Sequence, residues 1–273
     1  MQIGSVRNFG EPTAVRVDGD ELVRLDISTD ELLAASAWEL AARDGERIAI
    51  AEADWAPVVA NPSKIFCVGL NYREHVAEMG RDIPPAPTYF AKFADALVGA
   101  HDDIVLPPTN VSTSIDYEVE LCIVVGTAAR HVKADAALDH VAGYTILNDV
   151  SVRDWQTRTT QFLAGKTFEG LTPVGPVLTT TDELGNARGL LVESILDGEV
   201  LQSESTDELI FGIAELVSDI SKICTLRPGD LIATGTPSGV GAARTPPRWL
   251  EPGTELVTRI EGIGQLQNRC VAS

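Results

Sequence analysis

Alternating and continuous apolar runs along the chain predict many short β-strands and few helices. Residues 14–26, AVRVDGDELVRLD, alternate apolar and polar positions around an Asp-Gly-Asp turn, which is typical of a hairpin. Residues 28–30, Ser-Thr-Asp, precede a run rich in helix formers and predict an N-cap followed by a helix. A further strand is expected at residues 46–55, and residues 55–64, which carry two prolines, are interpreted as a linker.

From residue 64 onward, strand patterns separated by turns dominate. Strands are predicted at residues 64–70, 87–93, 103–107, 119–126, 143–149, 175–180, 189–201, 230–236 and 254–266. Helices are predicted at residues 71–79, 151–162 and 207–223. Regular alternation of strands and helices is missing, which argues against a doubly wound sheet. We therefore expect a β-rich α+β fold, with a small N-terminal domain at residues 1–58 and a rolled or barrel-like mixed sheet at residues 59–273.

Composition and charge narrow the class of protein. Of the 273 residues, 44% are hydrophobic and 22% are charged, which favours a packed core over disorder. The formal charge of -19 argues against a nucleic-acid partner, since such a surface repels phosphate. No apolar stretch approaches the ~18 residues of a membrane span, and the first residues lack the pattern of a signal peptide. The four cysteines form no CxxC pair, and we expect a cytoplasmic protein with no membrane partner.

An acidic motif lies at the start of the most apolar strand, in residues 116–126, DYEVELCIVVG. Side chains alternate along a strand, so Glu118 and Glu120 point to the same face, with Cα atoms roughly 7 Å apart. Asp149 follows a second apolar strand. Three carboxylates with no His or Cys among them suit Mg²⁺, Mn²⁺ or Ca²⁺ rather than zinc or copper. The alternative for the two glutamates is a solvated pair on an edge strand.

Basic and amide side chains follow Asp149 in the chain. Arg153 and Gln156 come four and seven residues later, which places all three on one face of the predicted helix. Arg153 is a candidate contact for a substrate, and the alternative is a local salt bridge with Asp149. Lys166 lies in a glycine-flanked apolar loop, and the alternative is a surface lysine. Together these cations would let an anionic substrate approach a chain of strongly negative charge.

His75 and Glu78 lie on the short predicted helix at residues 71–79, followed by a proline-rich stretch that is a candidate lid. Their i, i+3 spacing lets the carboxylate orient the imidazole and raise its basicity. The alternative is an ordinary ion pair on a helix surface.

A glycine-rich stretch, TGTPSGVG, follows the strand at residues 230–236. It matches neither the dinucleotide-binding motif nor the P-loop, because Pro237 intervenes and no GK[ST] follows. Its backbone amides and the Thr236 hydroxyl are candidates for holding a carboxylate, with a simple tight turn as the alternative.

Taken in order, these segments resemble the fumarylacetoacetate hydrolase family from about Lys64 to the C-terminus. The matching stretches are VGLNYREHVAEMG, DYEVELCIVVG, GYTILNDVSVRDWQ, GKTFEGLTPVGPVL and PGDLIATGTPSGVG. The resemblance implies a β-rich catalytic domain, a homodimer and a divalent metal, usually Mg²⁺ or Mn²⁺. Larger members supply a further aspartate ligand seven residues before the histidine. This chain has Val68 there, as in the smaller branch of the family.

The resemblance also implies a role for each candidate residue. It makes Glu118, Glu120 and Asp149 the metal ligands. The catalytic groups are then His75 and Glu78, which activate water, and Lys166, while Arg153, Gln156 and Thr236 contact the substrate.

The implied reaction is cleavage of a C–C bond in a small anionic 2-oxo acid such as an acylpyruvate, through an enolate that the metal stabilises. Oxaloacetate decarboxylation and isomerisation of 2-hydroxyhepta-2,4-diene-1,7-dioate are alternatives within the same branch. A non-enzymatic protein that captures a dicarboxylate through a metal is a further alternative, although binding alone needs no base.

Overall fold

Eighteen β-strands and six short α-helices form the protein in the computed structural model, which describes residues 1–273. The strands are β1 (Gln2–Val6), β2 (Thr13–Asp18), β3 (Glu21–Arg24), β4 (Arg47–Ala49), β5 (Ile65–Gly69), β6 (Thr88–Lys92), β7 (Leu97–Val98), β8 (Ile104–Leu106), β9 (Ile115–Asp116), β10 (Val119–Val125), β11 (Val141–Asn148), β12 (Ser151–Val152), β13 (Thr172–Thr180), β14 (Leu191–Leu196), β15 (Glu199–Ser205), β16 (Leu231–Ala233), β17 (Glu255–Ile260) and β18 (Gly264–Ala272). The α-helices are α1 (Thr29–Ala35), α2 (Arg73–Glu78), α3 (Arg153–Gln156), α4 (Leu163–Lys166), α5 (Thr181–Leu184) and α6 (Ile213–Ile223). Short 3₁₀ helices span Trp38–Ala42, Ile50–Glu52, Ala94–Ala96, Ala134–His140, Thr206–Glu208 and Gly241–Ala243.

The larger sheet has eleven strands in the order β4-β3-β2-β1-β13-β11-β10-β16-β5-β6, with β7 beside β13. A five-stranded sheet, β15-β14-β17-β18-β8, packs against its centre. The path of the larger sheet begins at β4 and ends at β6, so the sheet stays open and forms no closed barrel. The expected β-rich α+β fold is confirmed.

Strand β10 lies at the centre of the larger sheet, and all seven of its residues are buried. Its apolar run is continuous because one face packs against the smaller sheet while the other packs against a second cluster of apolar side chains. The carboxyl-terminal neighbour in the chain, β11, pairs with it in antiparallel register. A fully buried strand at the centre of the sheet therefore carries the acidic motif at its start.

The N-terminal strands continue the larger sheet through β1, which pairs with β13 in the register Gly4↔Val177. The predicted hairpin is confirmed as β2–β3, and Ser28 caps α1 as expected. The interpretation of residues 55–64 as a linker is wrong in one respect, since Trp55, Val58 and Val59 are buried in the core. The domain boundary at residue 58 stays a prediction.

All three predicted helices begin later than the sequence pattern indicates, and α2 begins at Arg73 rather than at residue 71. Residues 151–152 form a strand, so α3 begins only at Arg153 and has four residues. Residues 207–212 precede α6 because the Asn71 side chain bonds both the N–H and the carbonyl of Phe211, which holds that segment outside the helix. The longest helix is eleven residues, and none is both long and apolar enough to cross a membrane.

Candidate metal centre and active site

The register between β10 and β11 brings the three predicted carboxylates together. Val119 lies opposite Asn148, and the Asp149 N–H donates to the Glu118 carbonyl at 2.8 Å. One carboxylate oxygen from each of Glu118, Glu120 and Asp149 lies within 4.8 Å of the others. Their exposed fractions are 4%, 1% and 0%. The alternative of a solvated edge-strand pair is therefore wrong, because an isolated buried carboxylate cluster requires cationic partners.

Two buried lysines supply part of that positive charge. The Lys166 Nζ lies 2.5 Å from Glu118 Oε2 and 2.8 Å from Asp149 Oδ2. The alternative of a surface lysine is wrong, and Lys166 ends the short helix α4 rather than lying in a loop. The second lysine is Lys92, at the end of β6, whose Nζ lies 2.6 Å from Asp149 Oδ1. Lys92 was not among the residues predicted from the sequence, although a lone lysine in the apolar run PTYFAKF is a usable signal.

Arg153 connects the carboxylate cluster to a fourth buried acid, Asp116. Its Nη2 lies 2.6 Å from Glu118 Oε1, and its Nε donates to Asp116 Oδ2 at 2.8 Å. Its Nη1 donates to Gln156 Oε1 at 2.9 Å. The alternative of a local salt bridge with Asp149 is wrong, because α3 begins at Arg153 and the expected i, i+4 helical spacing does not exist. Because all three nitrogens contact protein oxygens, the free polar group at this position is the Gln156 amide nitrogen.

The environment drives the pKa values of the two glutamates apart. Burial alone would raise the pKa of Glu118, but the charges of Arg153 and Lys166 outweigh burial and hold it well below its usual range. Burial raises the pKa of Glu120 well above its usual range, and the charges of Asp149 and Glu118 raise it further. Glu120 is thus the member of the cluster with the least compensating charge.

The donor set fits a hard divalent cation. All three side chains offer oxygen, and no nitrogen or sulfur ligand belongs to the cluster. The surroundings of Glu120 decide whether the cluster suits a metal ion. A buried carboxylate with two like charges beside it ionises readily only when a further cation lies within the cluster. Glu118, Glu120 and Asp149 are the residues that would hold such an ion.

His75 and Glu78 form the expected pair. The Nδ1 of His75 lies 3.0 Å from Glu78 Oε2, and His75 is buried. A carboxylate only accepts, so Nδ1 carries a proton, and in the neutral imidazole Nε2 keeps its lone pair. The other Glu78 oxygen accepts the N–H of Gly239 at 2.9 Å. The alternative of an ordinary surface pair is therefore wrong for His75.

The glycine-rich segment, residues 235–242, binds the protein's own carboxylates through its backbone. The Gly235 N–H donates to Glu120 Oε2 at 2.7 Å. The N–H groups of Gly241 and Ala242 donate to the two oxygens of Asp116 at 2.7 and 2.9 Å. The segment is therefore more than a tight turn, and the carboxylates that its amides hold belong to the protein itself, while a substrate contact at Thr236 stays a prediction. With the Gly239 N–H, which donates to Glu78, the segment bonds three separate acidic side chains of the site.

Thr236, from the same segment, makes no contact with the carboxylate cluster through its side chain. Its Oγ1 accepts a hydrogen bond from Gln202 Nε2 at 2.8 Å. Gln202 and Asp116 are two further participants in the site that were not predicted from the sequence. Asp116 is the first residue of the acidic motif, whereas Gln202 comes from β15 in the smaller sheet and carried no local signal.

The fold and the site together define a strand-rich α+β protein with a buried carboxylate centre suited to a hard divalent cation. The model of the family described as fumarylacetoacetate (FAA) hydrolase C-terminal matches residues 64–271, and the chain belongs to that family. The resemblance noted from its motifs is thereby confirmed, and the family is one of enzymes.

Known members of the family differ in the reactions their names describe. The chain is 44% identical over 215 residues to oxaloacetate tautomerase FAHD2A, mitochondrial, from Bos taurus, covering 78% of this chain and 68% of that protein. The fumarylacetoacetate hydrolase of Exiguobacterium antarcticum has a TM-score of 0.90 at 32% identity, covering 100% of both chains. The maleylpyruvate hydrolase of Sphingobium sp. SYK-6, solved with manganese(II) and pyruvate, has a TM-score of 0.82 at 27% identity, also over 100% of both chains.

Proposed function

We propose that the protein interconverts the keto and enol forms of a small 2-oxo dicarboxylic acid, with oxaloacetate as the first candidate. The observation that carries the proposal is that one short segment, residues 235–239, bonds both the buried carboxylate cluster, through Glu120, and the His75–Glu78 pair, through Glu78. This combination suits removal of a proton next to a carbonyl group, since it joins a base to groups that bind negative charge. The 44% identity to an oxaloacetate tautomerase supports this choice among 2-oxo acid reactions.

Enolisation breaks a C–H bond beside the keto group, and the electron pair moves onto the keto oxygen. His75 is suited to take that proton at Nε2, because Glu78 fixes the proton of the imidazole on Nδ1. Returning a proton to the oxygen completes the enol, and the same path in reverse restores the ketone. Glu78 itself stays in place, since Gly239 holds its other oxygen.

The negative charge that develops on the substrate has two supports. Lys166 remains a cation, because Asp149 and Glu118 outweigh the effect of burial and raise its pKa. A divalent ion, Mg²⁺ or Mn²⁺, held by the three carboxylates would supply Lewis-acid stabilisation of the enolate. The amide nitrogen of Gln156, whose oxygen is held by Arg153, is free to donate to a substrate carboxylate.

Hydrolysis of an acylpyruvate is the second candidate, and the same His75–Glu78 pair favours it. In that reaction His75 removes a proton from water, the resulting hydroxide attacks the distal carbonyl, and the C–C bond breaks to give a carboxylic acid and the enolate of pyruvate. The maleylpyruvate hydrolase with bound pyruvate supports this candidate at lower identity. Oxaloacetate decarboxylation, which releases CO₂ and leaves the same enolate, and dienedioate isomerisation remain alternatives. A homodimer is likewise a proposal.

One panel assay separates these reactions. Freshly dissolved enol oxaloacetate is mixed with the protein and Mg²⁺ or Mn²⁺, and loss of enol absorbance is compared with release of pyruvate. Loss of enol without pyruvate supports tautomerisation, and equal pyruvate release supports decarboxylation instead. Acetylpyruvate, fumarylpyruvate and a hydroxyheptadienedioate are tested alongside. Faster turnover of any of these than of oxaloacetate would contradict the proposed substrate.

A further inference from the structure

The buried side chain of Gln202 connects the acidic strand to the glycine-rich segment. Its Oε1 accepts the N–H of Val119 at 3.1 Å. Its Nε2 donates to Thr236 Oγ1 at 2.8 Å and to the Pro237 carbonyl at 2.9 Å. Val119 lies between Glu118 and Glu120, so one side chain joins the middle of the carboxylate motif to Thr236.

Only one orientation of the Gln202 amide satisfies these partners. Rotating it by half a turn would place its NH₂ group against the Val119 N–H and its oxygen against the Pro237 carbonyl. Both contacts would then be repulsive in a region closed to solvent, since Gln202 is 1% exposed. The Nε2 atom is therefore the group that faces Thr236.

The orientation of the Gln202 amide determines where the Thr236 hydroxyl accepts a hydrogen bond and where it can donate one. The hydroxyl accepts a hydrogen bond from Gln202, so its own proton points away from Gln202. Within the protein, this proton has no acceptor, although Thr236 is 4% exposed. A buried hydroxyl proton without a partner is costly unless a ligand accepts it.

The position of Thr236 in the chain indicates what that ligand is. The preceding residue, Gly235, donates its N–H to Glu120, and Gly239, three residues later, donates to Glu78. Thr236 thus lies between the backbone contacts to the carboxylate cluster and to the histidine pair. A ligand that bridges those two groups borders Thr236, and the free proton favours an anionic oxygen.

We propose that Gln202 is a positioning residue that fixes the Thr236 hydroxyl as a hydrogen-bond donor to an anionic oxygen of the bound 2-oxo acid. The inference rests on the proposed function for its ligand class. A carboxylate at position 202 would instead accept the hydroxyl proton, and an apolar side chain would leave the hydroxyl free to rotate. Glutamine is the neutral side chain that accepts from Val119 and donates to Thr236 at the same time.

The test is a double-mutant cycle on the affinity for oxalate, which resembles the enolate of pyruvate in shape and charge. Calorimetry at saturating Mn²⁺ gives the dissociation constant for wild type, Gln202→Met, Thr236→Val and the double variant. We expect each single substitution to weaken oxalate binding roughly tenfold to hundredfold, as for a lost hydrogen bond to a charged group. In the Thr236→Val background, Gln202→Met should change the affinity less than about twofold.

Thr234→Val is the matched control, because the Thr234 hydroxyl donates to the Leu121 carbonyl inside the protein. It should leave oxalate affinity unchanged. Mn²⁺ affinity and circular dichroism verify that every variant keeps its fold. If Gln202→Met does not fold, Gln202→Asn takes its place in the cycle, since it keeps a neutral amide one methylene shorter.

Each outcome bears on a different part of the proposal. Additive losses in the double variant would overturn the role of Gln202, because a merely structural effect does not depend on the Thr236 hydroxyl. A wild-type protein that binds no oxalate would overturn it as well, since Thr236 would then face no such ligand. Oxalate binding with the expected coupling but no turnover of any 2-oxo acid would overturn the proposed function and leave this inference standing.

Discussion

The Nζ of Lys92 lies 2.6 Å from Oδ1 of Asp149, and neither side chain is exposed to solvent. The other Asp149 oxygen contacts Lys166 at 2.8 Å. Asp149 is therefore held between two lysines, which fixes the plane of its carboxylate before any ligand binds. Breaking a buried pair of this kind costs more than the pair contributes, because the remaining charge loses its partner.

We expect Lys92→Met to lower the free energy of unfolding of the metal-free protein by about 3 kcal/mol or more. Mn²⁺ should stabilise this variant more than it stabilises the wild type, because the cation replaces the lost positive charge. Urea unfolding with and without Mn²⁺ measures both effects. The control is Lys222→Met, which removes an exposed pair with Asp219 and should cost at most about 1 kcal/mol. Equal losses in the two variants would show that the buried contact is unimportant.

The tautomer of His75 can be tested through its partner. In Glu78→Gln, the amide oxygen can still accept the Gly239 N–H, and the NH₂ group then donates to Nδ1. The imidazole proton moves to Nε2, so the base is lost while the geometry is kept. We expect kcat to fall ~10²–10⁴-fold, with Mn²⁺ affinity unchanged. His75→Ala should give a loss of similar size. Near-normal turnover in either variant would remove His75 from the mechanism.

Gly235 contributes through both its backbone conformation and its lack of a side chain. Its φ is +101°, and a Cβ atom there would lie 2.8 Å from the Asn71 Cβ. We expect Gly235→Ala to shift the amide that bonds Glu120 and to weaken Mn²⁺ binding by about tenfold. Gly229→Ala is the control, since its φ of +82° imposes comparable strain, with its nearest neighbour 3.6 Å away. Equal Mn²⁺ affinity in the two variants would assign the effect to backbone strain alone.

The raised pKa of Glu120 links metal binding to pH. Metal ligands bind as carboxylates, so Mn²⁺ must displace a proton from Glu120 and its affinity should fall as the pH drops through the raised pKa. The metal-free protein has the opposite dependence, because a carboxyl with a raised pKa stabilises the fold only while it is protonated. Titrations in two buffers of different ionisation enthalpy measure the released proton. The expected release disappears in Glu120→Gln, and its absence in the wild type would contradict this assignment.

The local parts of the site were predictable from the sequence, and the long-range parts were not. The alternation of Glu118 and Glu120 follows from strand geometry, and the apolar run before Asp149 predicts a neighbouring strand. Their convergence was expected because carboxylates at two strand ends suit one cation. The His75–Glu78 pair was visible because its two members are three residues apart on one short helix.

Contacts between distant segments carried no such signal. Arg153 reaches Asp116 across 37 positions, and Gln202 reaches Val119 across 83. The direction of the Gln202 side chain depends on the pairing of β15 with β14 in the smaller sheet, and no local sequence pattern predicts that direction. The prediction that a helix begins at residue 151 was wrong for a related reason. Strand β12 pairs with β9 in the register Ser151↔Asp116, so residues 151 and 152 are extended rather than helical. Tertiary pairing overrode local propensity there.

Whether the three carboxylates bind one divalent cation is tested most directly by calorimetry. The metal-free protein is titrated with Mn²⁺, in wild type and in Glu120→Gln. The substitution keeps an oxygen for the Gly235 N–H and removes only the carboxylate charge. We expect one tight Mn²⁺ site per chain in the wild type, weakened by about 100-fold or more in Glu120→Gln. Glu193→Gln, at a buried glutamate paired with Arg259 in the smaller sheet, should bind Mn²⁺ as the wild type does. No stoichiometric binding by the wild type, or equal affinity in Glu120→Gln, would contradict the account.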